Sequence, residues 1–345
     1  MAPSITSVVP LLFFLVFTVV EVEGAKKTYG VLDNNPLKLF VFGDSYVDTG
    51  NFVHSESYKV PNGITFPGTP AGRFSDGHVL TDFFASYLKI GSPTPYAFIN
   101  STNLQSGVNF AYGGTGVFDT SIDGPNTTAQ IDSFQKLIEQ NNITKQDLQS
   151  SIALVNAGAN DYTNAVKDGK IFDLKGFRES LVQQISVNLK RIYSLGVPKV
   201  AVTLLQPIGC LPELNAILLH QSCVDLLNKV SIDHNKLLLQ AVQDLNNQTG
   251  QSPFMMLDLY TSFLSAINIV DTQRQANSTL MNPLEACCEG TTLADSCGTV
   301  DDKGQKKYRL CDNPTLSFFW DLVHPSQNGW SIIFPIVQAS LGHLT

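Results

Sequence analysis

The sequence predicts a doubly wound α/β fold, with helices on both faces of a parallel sheet. Short apolar runs closed by Gly, Asn, Pro or Asp recur along the chain, and segments with helical spacing lie between them. Strand and helix alternate without a linker or a repeat, which points to one domain.

The first run, 37–42, reads Leu-Lys-Leu-Phe-Val-Phe and is stopped by Gly43-Asp44, as suits a strand buried on both faces. Runs at 152–157, 199–205 and 254–257 repeat the pattern, and a weaker one covers 107–111. Helical spacing appears at 79–88, 129–140, 172–195, 224–245 and 329–341. In the longest of these, Phe177, Leu181, Ile185, Leu189 and Ile192 follow at three- and four-residue steps and form one apolar stripe. Two irregular stretches, 54–76 and 282–317, interrupt the alternation; loops of that length in a compact domain are usually functional or cross-linked.

Hydrophobic residues make up 43% of the chain and charged residues 15%, which provides for a core and argues against disorder. The net charge is -8 and no Lys/Arg cluster could neutralise a run of phosphates, so nucleic acid is not an expected partner. Residues 8–20 are almost wholly apolar, and Val22 and Gly24 are small enough for a cleavage site. Residues 1–24 therefore read as a signal peptide and 25–345 as the mature, secreted, extracellular domain. The alternative is a membrane anchor, but the run is shorter than the roughly 20 residues a bilayer core requires, and no second stretch approaches that length.

Asn-x-Ser/Thr triplets begin at Asn100, Asn126, Asn142, Asn247 and Asn277, and these are glycan acceptors if the chain enters the secretory pathway. Of the six cysteines, Cys210 and Cys223 stand apart, while Cys287, Cys288, Cys297 and Cys311 crowd a stretch that otherwise reads as loop. In an oxidising compartment this is a disulfide staple. A metal site is the competing reading, but there is no Cys-x-x-Cys pair and no His in the crowded window. The four crowded cysteines are expected to bridge among themselves and Cys210 to pair with Cys223; adjacent Cys287 and Cys288 are poorly placed to bond each other.

The segment Phe42-Gly43-Asp44-Ser45-Tyr46-Val47-Asp48-Thr49-Gly50-Asn51 puts a serine directly after the first strand, at the carboxyl edge where open α/β sheets carry their sites. Alone, it reads equally well as a turn and helix cap. Of six histidines only His324 has an aspartate, Asp321, three residues before it. That spacing lets the carboxylate accept from one ring nitrogen while the other faces a serine hydroxyl, as a general base requires. Acyl transfer also needs donors for an oxyanion, each worth about 3 kcal/mol. Two strand ends offer them: the Gly113 N–H in Tyr112-Gly113-Gly114-Thr115 and the Asn160 amide in Gly158-Ala159-Asn160-Asp161. Each of these also reads as an ordinary glycine turn. Asp48 and His54 are read as loop-packing residues, and Arg73 as a structural ion-pair partner before a substrate contact.

Four blocks in this order resemble the GDSL or SGNH hydrolases, specifically their plant secreted branch. The blocks are Gly43-Asp44-Ser45 with Asp48, Gly50 and Asn51; the Gly113 segment; Gly158-x-Asn160-Asp161; and Asp321-x-x-His324-Pro325. The resemblance implies a three-layer α/β/α, flavodoxin-like fold with about five parallel strands, hydrolysis of carboxylic esters, and no metal or organic cofactor. It implies Ser45 as nucleophile, His324 as base and then acid, and Asp321 as its orienting partner. The Ser45 N–H, Gly113 N–H and Asn160 amide would form the oxyanion hole. Tyr46 departs from the leucine of the family name, a change bearing on substrate fit before catalysis.

An acyltransferase using the same acyl-enzyme and a non-enzymatic secreted glycoprotein of binding or defence remain alternatives at this level. No segment reads as an amphipathic lid, which favours dissolved or wall-bound esters as substrates over fat droplets.

Overall fold

Side-chain alternation along the first strand decides the layering. In β1 (Lys38–Gly43) Leu39 and Val41 point to one face, Phe40 and Phe42 to the other, and all four are fully buried. Leu39 and Val41 share a core with Phe84, Phe263 and Trp330, while Phe40 and Phe42 share another with Phe110, Phe134 and Leu189. A strand apolar on both sides is stable only between two helical layers, which is the arrangement found. The computed structural model describes residues 36–101, 104–169, 174–276, 280–292 and 294–341. The expected signal peptide and Asn277 lie outside them.

The main sheet contains β1, β2 (Thr94–Pro95), β3 (Gly107–Asn109), β4 (Ser151–Asn156), β5 (Lys199–Thr203) and β6 (Phe254–Leu257), in the order β2-β3-β1-β4-β5-β6. Every pairing within it is parallel. Five strands coincide with the apolar runs; β2, two residues long and containing a proline, carries no alternation to read and sits at the edge where proline is tolerated. From β1 the chain moves outward to β2 and β3, then crosses back to β4 on the other side. The reversal of strand order therefore falls between β1 and β4, the place where such sheets open a crevice beyond their carboxyl ends.

The helices are α1 (Leu80–Tyr87), α2 (Thr127–Glu139), α3 (Lys145–Gln149), α4 (Ala159–Lys167), α5 (Leu174–Ser194), α6 (Pro212–Asn215), α7 (Asp225–Thr249), α8 (Leu259–Ala276) and α9 (Gln327–Gln338). Helices α1, α8 and α9 cover one face, and α2, α5 and α7 the other. Helix α8 was not among the segments with expected helical spacing. Its buried stripe of Leu259, Phe263, Ala266 and Val270 has that spacing, but Thr, Ser, Asn and Ile dilute its helix propensity and burial decides the outcome. No helix of the described residues is long and apolar enough to cross a membrane.

The irregular stretch 282–317 folds as an antiparallel hairpin, β7 (Cys288–Gly290) with β8 (Tyr308–Leu310). Disulfides Cys287–Cys311 and Cys288–Cys297 staple it, and Cys210–Cys223 ties the turn after β5 to the start of α7. The stapled hairpin packs Tyr308 and its cystines on the buried ring of Trp320. Its backbone also receives Phe319 and Trp320 in register, through Cys287 N–H to Phe319 O (3.1 Å) and Cys288 N–H to Trp320 O (2.7 Å). The segment that carries Asp321 and His324 is thus anchored by cross-linked backbone.

Gly43 ends β1 opposite Asn156 of β4 with φ 139°, and a Cβ there would overlap the Asn156 carbonyl oxygen. Gly68 shares a positive φ of 93° but has open space around it. Gly43→Ala is therefore expected to lower the unfolding free energy by about 3 kcal/mol or more, and Gly68→Ala by about 1 kcal/mol. Urea unfolding of the two variants checks the difference; equal losses would contradict it.

Candidate active site

The loop after β1 is built by hydrogen bonds that face inward. Gln130 of α2 clamps the strand end, accepting from Gly43 N–H (2.7 Å) and donating to its carbonyl (2.9 Å). Asp44 Oδ1 accepts from the Tyr46 N–H (3.1 Å) and from Asn156 Nδ2 (2.7 Å), and Asn156 Oδ1 accepts from Thr203 (2.9 Å). Burial pushes the Asp44 carboxyl up to about 7 despite these donors. Ser45, itself buried, borders the cleft.

The Ser45 Oγ lies 2.8 Å from His324 Nε2. On the far side of the ring, His324 Nδ1 lies 2.8 and 2.9 Å from the two carboxylate oxygens of Asp321. Asp321 Oδ1 also accepts the N–H groups of Val323 (2.9 Å) and His324 (2.7 Å), so a local turn fixes the three-residue spacing. Burial raises the Asp321 carboxyl, but the charge and hydrogen bonds of His324 and these amides outweigh it and hold the group below the usual carboxylate range. Phe74 lies against the imidazole at 5.3 Å between centroids.

Tyr46 bears on the base as well as on substrate fit. Its ring is buried against Phe263 and Trp330, 5.8 Å from the imidazole, and its hydroxyl donates to Val323 O (2.8 Å). A leucine would fill the space without that tether to the histidine loop.

The three expected oxyanion donors are not equally free. Gly113 N–H is engaged elsewhere: it donates to Asp48 Oδ2 (2.9 Å). Asp48 Oδ1 takes the N–H groups of Gly50 (2.8 Å) and Asn51 (2.7 Å), so this buried carboxylate joins the β1 loop to the glycine turn after β3. The adjacent Gly114, with φ 78°, lines the cleft beside Ser45 and Asn160. Its N–H and that of Ser45 have no acceptor among the described residues. Asn160, in the first turn of α4, donates one amide hydrogen to Thr115 O (2.9 Å) and keeps the other.

Asp161 was not singled out by sequence as a site residue, although it adjoins Asn160. It accepts from Val117 N–H and Phe118 N–H (both 2.9 Å) and so ties α4 to the glycine turn. Arg73 makes a two-point ion pair with Asp82 (2.8 and 2.8 Å), the structural role read for it. His54 is exposed and lines the cleft, a cavity of about 410 Å³ beside Ser45, with Phe52, Phe74 and Ile122. Asn100, Asn142 and Asn247 are exposed, whereas Asn126 is half-buried and caps α2 by accepting from Ala129 N–H (3.0 Å). Among the described residues no three His, Cys, Asp or Glu side chains converge as metal ligands would.

The buried carboxyls give the site a pH dependence. Burial pushes Asp48 and Asp161 each up to about 6, against the backbone amides that hold them down. With a folded value above the ordinary one, each takes up its proton in the folded chain first. Its stabilising contribution is full in acid and is lost as pH rises through about 6. Asp44 has the same sign; His234, pushed down to about 3 by burial, has the opposite one. Lowering the pH from about 7 to about 5 is expected to reduce kcat/KM, as Asp48 and Asp161 lose the charge that holds the glycine turn, while the melting temperature holds or rises. A melting temperature falling in step with activity would contradict this.

Residues 39–336 match the GDSL-like Lipase/Acylhydrolase family. One GDSL esterase/lipase of Arabidopsis thaliana is 46% identical over 327 residues, covering 93% of this chain and 91% of that one. Another from the same plant is 43% identical over 330 residues, covering 92% and 93%. Among solved structures, a catalytic mutant of an acetylxylan esterase from Geobacillus stearothermophilus aligns with 89% of this chain and 94% of its own at 12% identity and a TM-score of 0.43, too loose a likeness to carry an argument. On the extent of the family match and the identity to these relatives, the chain belongs to the GDSL lipase/acylhydrolase family, the SGNH-type serine esterases.

Proposed function

We propose that Ser45 is the nucleophile of a carboxylic ester hydrolase, with His324 as its base and Asp321 as the group that orients the base. The observation that carries this reading is the 2.8 Å contact of His324 Nε2 with Ser45 Oγ while Nδ1 rests on the Asp321 carboxylate. With its Nδ1–H donated to Asp321, the neutral ring keeps the Nε2 lone pair for the serine proton. As Oγ bonds to the ester carbon, that proton passes to Nε2 and the carbonyl electrons move to oxygen. The oxyanion is received by the Ser45 N–H, the Gly114 N–H in place of Gly113, and the free Asn160 hydrogen. Collapse expels the alcohol, which takes the proton from Nε2. Water then attacks the acyl-enzyme by the same route in reverse and releases the acid.

Residues 1–24 act in this reading as a signal peptide, and 25–345 as a single secreted domain acting on dissolved or wall-bound esters. Three disulfides suit an oxidising compartment, and exposed Asn100, Asn142 and Asn247 are the proposed glycan acceptors.

Hydrolysis of 4-nitrophenyl acetate is expected to vanish almost completely in Ser45→Ala. Asn160→Ala, which removes one oxyanion donor, is expected to lower kcat by about 10²- to 10³-fold with the fold intact by circular dichroism. Wild-type rates in either variant would count against the assignment.

A further inference from the structure

Two openings of unequal size meet at Ser45. The cleft of about 410 Å³ is lined by Ser45, His324, Phe74 and Asn160 and reaches exposed His54. The second is a crevice of about 20 Å³ at the ends of β1, β4 and β5, lined by Asp44, Ser45, Tyr46, Leu205 and Gln206; it shares Asn160 and Val323 with the cleft, but His324 does not line it. A cavity of that volume admits about one water-sized group.

We propose that the crevice receives the acyl group and restricts the enzyme to acetyl-sized acids, while the open cleft receives the alcohol. The inference rests on the triad reading above. In the tetrahedral intermediate the carbon carries four substituents: Oγ, the oxyanion, the alcohol oxygen and the acyl carbon. The alcohol oxygen takes its proton from Nε2, so the alcohol must leave on the His324 side, which is the cleft. The oxyanion sits between Gly114, on the cleft wall, and Asn160, which borders both openings. The acyl carbon is left with the opening that His324 does not line.

The walls of the crevice do not give way readily. Tyr46 is wedged between Phe263 and Trp330 and tethered to Val323. Asp44 is held through Asn156 to Thr203. The Leu205 backbone is clamped on both sides by Asn235, whose Oδ1 accepts from Leu205 N–H (2.8 Å) and whose Nδ2 donates to its carbonyl (2.9 Å). Close-packed walls discriminate by size, because each extra methylene has to displace fixed atoms.

The test is kcat/KM on 4-nitrophenyl acetate, butyrate and octanoate, which share one alcohol, alongside phenyl and 1-naphthyl acetate, which share one acid. The expected result is a loss of at least about tenfold from acetate to butyrate, a further loss to octanoate, and little difference between the two acetates. Leu205→Ala, or the milder Leu205→Val if the first does not fold, should raise the butyrate-to-acetate ratio several-fold. Wild-type rates that stay level or rise with acyl length would overturn the proposal, as would a ratio unmoved in a folded Leu205 variant. Acetate hydrolysis that survives Ser45→Ala would instead overturn the triad reading beneath it.

Discussion

Between the ends of β1 and β4 there is no room for a side chain, and the site is arranged around that constraint. Gly43 meets the Asn156 carbonyl so closely that only a hydrogen fits, which brings the next residue, Asp44, within reach of the Asn156 side chain. Ser45 follows at the point where strand order reverses, and the segment 321–324, whose Val323 packs in the same core layer as Tyr46, brings His324 to its hydroxyl. A side chain at 43 would push the two strand ends apart and carry the serine away from its base. The contact belongs to backbone packing, yet it sets the position of the serine proposed as nucleophile.

Four aspartates, three buried and Asp321 half-buried, then act on backbone in the same way with different outcomes. Asp44, Asp48 and Asp161 accept from amides but have no cationic partner close enough to offset burial, and their carboxyls are pushed up. Asp321 is as dependent on amides, but the imidazole hydrogen-bonded beside it favours its charged form, and its carboxyl is pulled down. The carboxylate that would have to stay an anion beside the proposed base is the one given a compensating partner. The others hold loops: Asp48 and Asp161 each grip one end of the glycine turn at 113–118. Leaving those amides unpaired would cost about 1–3 kcal/mol apiece, so the turn is fixed by acids that touch no substrate.

Much of this was legible in the sequence. Ser45, Asp321 and His324 each lie in a short motif whose local backbone fixes the side chain, and the parallel strands are continuous apolar runs. What escaped was decided between segments. Gly113 and Gly114 both line the cleft, and it is Asp48, more than sixty residues earlier, that takes up the N–H of the first. Tyr46 read as a substrate-side change because nothing local announces that Val323 lies above its hydroxyl. Helix α8 has the right spacing but weak intrinsic preference, and β2 is too short to have a pattern. The pairing of the four crowded cysteines was open because several connectivities satisfy the spacing and only the β7–β8 hairpin selects one.

The central claim is that the Ser45 hydroxyl is made nucleophilic by the ring of His324. Its most direct measurement is intact-mass and peptide mapping after exposure to a fluorophosphonate, which reacts with an activated serine and displaces fluoride. The account predicts one adduct per chain, on the peptide containing Ser45, and its loss in His324→Ala. An adduct on another serine, or undiminished labelling of Ser45 without the imidazole, would contradict it.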